Sequence, residues 1–137
     1  MGDQQVPEGF ERHFRQSPLI DPWEPLYSKR DGEHFHLGLH VDRPRCNSRG
    51  KAHGRLISAL ADNAMGIACV AASGGQGGGA VTVQLSVDFI GSIDLGQWLE
   101  MTAEPTKLGR TLAFAEASIT ADDELVARAT AVFRMLG

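Results

Sequence analysis

Cysteine is scarce: the 137 residues contain only Cys46 and Cys69. Two thiols in a chain this long do not suggest a disulfide framework of the kind that staples small secreted domains. The sequence offers no run of the roughly 18 apolar residues that would read as a membrane span. Positive charge is also short, with 13 Lys and Arg against 17 Asp and Glu for a net charge of −4. That balance argues against bulk electrostatic binding to nucleic acid or to an anionic membrane, though not against a local basic patch for a phosphorylated ligand. Met1–Phe10 is polar and acidic, without the apolar centre of a secretory signal. These absences lead us to expect a cytoplasmic protein.

What remains is an ordinary globular composition, 42% hydrophobic and 22% charged, at a length that suits one domain and buries about two-thirds of the unfolded surface. Residues 1–31 read as a lead-in segment holding four of the six prolines. Within it, Phe10 and Phe14 at spacing four predict a short helix over Glu8–Arg15, and Trp23, Leu26 and Tyr27 are candidates to pack the segment onto the body. From residue 32 the pattern changes. Phe35, Leu37, Leu39 and Val41 alternate with His34, His36, Gly38 and His40, which predicts a half-buried strand that Pro44 ends. Gly54–Ala72 reads as the main helix, apolar nearly all round and therefore buried. Gly74, Gly75, Gly77, Gly78 and Gly79 break it. Four strands follow over 80–90, 97–107, 111–120 and 125–135, and their short connections predict antiparallel hairpins in a meander. An α+β domain over 32–137, one long helix wrapped by a five-stranded antiparallel sheet, satisfies this plan.

On that apolar helix, Arg55, Ser58 and Asp62 recur at spacings of three and four and so share one face, with Ala59 beside them and Gly66 continuing the line. A carboxylate in mid-helix is costly to bury without partners. Three readings stand: Asp62 pairs with Arg55 or Ser58, it caps a nearby loop, or it does chemistry against a ligand held in the space the small residues leave. The segment Asn47–Gly54 runs directly into the helix start, where free backbone N–H groups and the positive dipole end supply the donors an oxyanion hole needs.

Asn47-x-x-Gly50-x-x-His53-Gly54 followed by Leu60-Ala61-Asp62 resembles the signature of PaaI-like hotdog-fold acyl-CoA thioesterases. The resemblance continues through Val81-Thr82, Val87-x-Phe89, Gly96, Gly109-Arg110-Thr111-Leu112-x-Phe114 and Leu125-Val126-Ala127, spanning most of residues 32–137. It implies a hotdog fold, a homodimer or a homotetramer built as a dimer of dimers, and a site at the subunit interface where an acyl-CoA thioester is hydrolysed. By the same resemblance Asp62 is the general base or nucleophile and Asn47 helps place the water or thioester. The Gly54 N–H donates to the thioester oxygen, and Thr82 faces the site from the partner subunit. His53, Arg55, Ser58, Gly91, Ser92, Lys107, Gly109 and Arg110 are expected along the substrate or its coenzyme A moiety. No metal or separate cofactor is implied, because a thioester is already activated and an aspartate is ionised at neutral pH. One departure is Arg55, where relatives usually carry a second glycine; it could narrow the pocket, bind an acidic acyl group, or pair with Asp62 and weaken it as a base.

Other features suit plainer roles. His34, His36 and His40 share a strand face and could hold a metal, but alternation accounts for them equally as a solvent-facing row. The run 74–79 lacks the Gly-Lys-Ser/Thr ending of a phosphate loop. Cys46 with His53 as a nucleophile pair is weaker than an unreactive thiol. A non-catalytic acyl-CoA-binding module is the competing function, since such folds also serve as sensors.

Overall fold

The structure, a computed structural model of the chain, describes residues 5–14, 17–42, 45–74 and 79–136. Among the described residues the strands are β1 (Glu11–Arg12), β2 (Tyr27–Asp31), β3 (His34–His40), β4 (Gly79–Phe89), β5 (Trp98–Leu108), β6 (Leu112–Ala121) and β7 (Glu124–Leu136), with one α-helix, α1 (Gly54–Ala72), between β3 and β4 and a short 3-10 turn at Asp21–Trp23. All seven strands join one antiparallel sheet in the order β1-β2-β3-β5-β6-β7-β4. One long helix held against one face of an antiparallel sheet is the hotdog arrangement.

Helix α1 packs one side. Leu56, Ile57, Leu60, Ala61, Ala64, Met65, Ala68 and Cys69 are buried, a stripe at spacings of three and four. They meet Phe35, Leu37 and Leu39 of β3, Leu99 and Met101 of β5, and inward alanines of β6 and β7 such as Ala115, Ala117, Ala129 and Ala131. Small residues on both surfaces let helix and sheet approach closely, and each large side chain removed from water stabilises the fold by about 1.5–3 kcal/mol. By length and composition α1 alone is long and apolar enough to cross a bilayer. Its apolar stripe is instead covered by the sheet. The complementary face, with Ser58, Ala59, Asp62, Asn63, Gly66, Ile67 and Val70, is only half-buried, so α1 is not enclosed all round as expected.

Three expectations are corrected. The sheet has seven strands rather than five, because β1 and β2 come from the lead-in segment; Tyr27–Asp31 is mostly polar and shows no apolar alternation. The short helix over Glu8–Arg15 is not formed in its described part, Glu8–Phe14. Gly9 takes a φ of +90°, the left-handed region, and the two phenylalanines diverge. The Phe10 ring meets Trp98 edge-on at 5.3 Å, while Phe14 meets Phe35 at 6.3 Å. The remaining residue of that stretch, Arg15, lies outside the described residues, as do Pro44 and Gly75, Gly77 and Gly78. Finally, β4 does not form a hairpin with β5. The eight-residue connection 90–97 carries the chain across, and β4 pairs β7 at the far edge, so only β5, β6 and β7 form a meander.

Trp23, Leu26 and Tyr27 do pack the lead-in segment onto the body: Leu26 is fully buried and Trp23 rests on the core, and Tyr27 meets Trp98 at 6.2 Å. Arg45 fastens the segment from below. Its guanidinium, 3% exposed, donates to the carbonyls of Trp23, Pro25 and His40 and pairs with Asp42 at 3.1 Å. Burial lowers its pKa against the opposing pull of Asp42 and Glu24.

Gly38 lies under the Trp98 ring, where a Cβ would come within 2.2 Å of it. Gly38→Ala should therefore cost about 1–3 kcal/mol by forcing the indole off its seat, read as a lowered midpoint in denaturant; an unchanged midpoint would show the ring free to move. Burial raises the Cys69 thiol to about 11. Folded protein at pH 8 should leave Cys69 unmodified by a thiol reagent, with labelling, mapped by peptide mass, appearing only on unfolding.

Candidate functional site

Asp62 stands on the half-buried face of α1, and the Thr82 hydroxyl donates to its Oδ1 at 2.7 Å. Thr82 reaches it because β4 pairs β7 in a register that sets Thr82 opposite Phe133, a core residue. Residues directly opposite share a sheet face, so Thr82 points to the helix side. A β-bulge between Thr82 and Gln84 disturbs the strand just beyond it, a device that re-aims side chains beside sites. Gly66, one turn past Asp62, brings α1 against Phe133, where an added Cβ would sit 3.4 Å from the ring. Among the described residues no hydrogen bond engages Asp62 Oδ2, and no ion pair joins Asp62 to Arg55, which is exposed two turns nearer the helix start. Pairing with Arg55 or Ser58 is thus not what holds this carboxylate.

A cleft of about 470 Å³ opens beside the Asp62–Thr82 pair, floored by α1 from Asp62 to Ala71 and by Gly74 just past it, and walled by the start of β4, Phe133, Phe14 and Arg30. Asn63 also lines it, with its Oδ1 enclosed and without a hydrogen-bond partner among the described residues. Arg30, Asn63 and Phe14 were not among the residues the sequence nominated. Arg30 sits in polar β2, and a helical stripe drawn through Asp62 passes Asn63 by.

The other nominated residues gather elsewhere. Asn47 Oδ1 accepts from the N–H groups of Arg49 (2.9 Å) and Lys51 (3.2 Å), closing the loop before α1 and leaving its NH₂ as the donor. His53 is the helix N-cap, its Nδ1 accepting from the Arg55 N–H at 3.1 Å. The Gly54 N–H, first in the helix, has no partner among the described residues. Gly91 and Ser92 lie at this same end, in a connection tied to the loop by the bond from Ala52 N–H to the Ile93 carbonyl (2.9 Å) and by the Lys51–Asp94 ion pair. Lys107 near the end of β5 and Gly109 and Arg110 in the β5–β6 turn lie at the opposite end of the sheet, beside the close of β7, where Met135 N–H donates to the Thr111 carbonyl at 2.8 Å. Gly109 has a turn role: a Cβ there would meet the Leu112 carbonyl at 2.6 Å.

The chain therefore separates its candidate residues. Gly54 and Asp62 are eight positions apart on one helix, or about 12 Å along its axis. No single carbonyl reaches both from one chain. Thr82 lies with Asp62 in the same chain, which corrects the expectation that it arrives from a partner. The histidine row on the outer face of β3 is engaged by β5 and the lead-in segment: His34 with Glu104 at 3.2 Å, His36 with Glu100 at 3.2 Å, and His40 with the Gln5 carbonyl at 2.9 Å. It is less open to solvent than its alternation suggested.

A sequence profile of the thioesterase superfamily matches residues 49–128. A candidate esterase of Pseudomonas aeruginosa, PA0474, is 41% identical over 131 residues, covering 95% of this chain and 97% of its own. Human acyl-coenzyme A thioesterase 13 is 30% identical over 82 residues, 60% of this chain and 57% of its own. A hypothetical thioesterase from Streptococcus pneumoniae TIGR4, solved with coenzyme A, superposes with a TM-score of 0.75 at 25% identity, covering 93% of this chain and 96% of that one. With the profile matched over more than half of its length and a relative 41% identical across nearly all of it, the chain belongs to the thioesterase superfamily.

Proposed function

We propose that the protein hydrolyses an acyl-CoA thioester to the free acid and coenzyme A, in a site formed between two copies of the chain. The observation that carries this reading is the Thr82 hydroxyl bonded to Asp62 Oδ1 at the wall of the cleft. It orients the carboxylate and leaves the other oxygen open. The hydrolase reading is also supported by the similarity to acyl-coenzyme A thioesterase 13.

Edge strand β4 supports the second copy. Its outer edge is unpaired among the described residues, and Val81, Val83, Phe89 and Ile90 along it and at its end are each about half exposed or more. A long apolar edge of this kind seeks another strand, and a two-fold axis through its middle would set it antiparallel to itself. Over eleven residues that pairing places the Gly79 end of one β4 beside the Phe89 end of the other, a shift of about 34 Å. Phe89 touches the position of Gly54. The Asp62–Thr82 pair of one protomer would then face the Asn47–Gly54 donors of its partner, and Lys107, Gly109 and Arg110 of one would join Gly91 and Ser92 of the other along the coenzyme A moiety.

In that arrangement Asp62 takes a proton from water as the oxygen adds to the thioester carbon. The Gly54 N–H and the Asn47 NH₂ hold the oxyanion, the C–S bond breaks, and the thiolate leaves and is protonated. Direct attack by Asp62, giving an anhydride that water opens, uses the same geometry.

A panel of acyl-CoA substrates read with a thiol dye should show release of free thiol from at least one of them. Binding without release across the panel would favour the sensor reading. Asp62→Asn should lower kcat by 100-fold or more, on the order of the loss expected for a general base; wild-type turnover would sink the assignment. Gly54→Pro removes the donor at a position where helices accept proline, and should cost about 100-fold or more in kcat with the helix intact by circular dichroism. Reassembling these two inactive variants together in equal amounts should restore about a quarter of wild-type turnover, because each mixed dimer holds one intact site. No recovery would mean that Asp62 and Gly54 act within one chain.

A further inference from the structure

One cation in the cleft has no assigned task. Arg30 lies opposite Phe35 in the β2–β3 register, and Phe35 is a core residue 2% exposed, so Arg30 occupies a helix-facing position of the sheet. Its side chain is exposed at the rim of the cleft, and among the described residues no carboxylate lies within 4.0 Å of its guanidinium. The cleft that Arg30 lines has one carboxylate among its described residues, Asp62, and that group already accepts from Thr82. The rest of the lining sets the apolar side chains of Ile67, Val70, Phe133 and Phe14 beside the polar Asn63 and Thr82. At about 470 Å³ the space matches a small-ligand pocket and suits a short acyl chain rather than a whole coenzyme A.

We infer that the cleft selects acyl groups ending in a carboxylate, with Arg30 as the residue that recognises that end. The inference rests on the thioesterase reading above. The apolar walls hold the methylene chain between the thioester at Asp62 and the cation at the mouth. The planar guanidinium offers a fork of donors that fits a carboxylate two bonds at a time. An acyl group of the same length ending in methyl would leave the guanidinium without a partner.

The test compares glutaryl-, adipyl- and suberyl-CoA with butyryl-, hexanoyl- and octanoyl-CoA, in wild type and in Arg30→Met, which keeps the aliphatic stem. We expect wild type to favour the carboxylated series by tenfold or more in kcat/KM, and Arg30→Met to reduce that ratio by tenfold or more, mainly through KM. Equal efficiency for the two series in wild type would overturn the inference. So would an equal loss for both series in the variant, which would place Arg30 on the phosphates of the carrier. Calorimetry in an Asp62→Asn background separates this inference from the reading it rests on. If wild type hydrolyses nothing, tighter binding of adipyl-CoA than of hexanoyl-CoA, abolished by Arg30→Met, still supports Arg30 as the selector. Equal binding of the two thioesters overturns it.

Discussion

A helix lying on one sheet can bury one face, and the site of this protein is the consequence of the face left over. The apolar stripe of α1, from Leu56 to Cys69, is sealed against inward residues of β3, β5, β6 and β7. The half-turn beyond it carries Asp62, Asn63 and Gly66, where small and polar residues stay half open. If that face were apolar too, the helix would need covering on both sides and no cleft would remain. The same packing makes the carboxylate affordable, because Asp62 is desolvated on one side only and gains the Thr82 hydroxyl in return.

Helix geometry then sets the chemistry's scale. Donors at the start of α1 and a carboxylate two turns further in cannot meet one carbonyl, since each residue adds about 1.5 Å of rise. An edge of β4 that is unpaired among the described residues and carries apolar side chains would be the simplest way to bring the two halves together. In the proposed pairing one copy would supply the base and hydroxyl, the other the oxyanion donors. A β-bulge on this strand beside Thr82 ties the edge to the site, so the surface that would pair and the residue that orients the base are neighbours in sequence.

Much of this was legible beforehand. The 3.6-residue period defined α1 from Gly54 to Ala72, and the alternation of Phe35, Leu37 and Leu39 defined β3. Order and spacing of short motifs pointed to the superfamily. The lead-in segment was harder, because its two phenylalanines at spacing four satisfy a helical pattern. Their partners, Trp98 and Phe35, are far away in sequence, and Gly9 lets the chain turn between them. β2 escaped notice for a related reason: it is held by its ladder with β3 rather than by its own apolar content.

The sequence alone determined α1, β3 and the strands after the helix, and put Asp62 on one polar stripe of α1, because periodicity and local spacing are properties of consecutive residues. Only the tertiary structure decided which residues share a space. It put Thr82 on Asp62 within one chain, moved β4 to the edge beside β7, and set Arg30 at the rim of the same cleft. Those placements depend on strand register and on a crossover between elements. Pairing between distant strands is set by how the whole sheet closes around α1, and no local pattern records it.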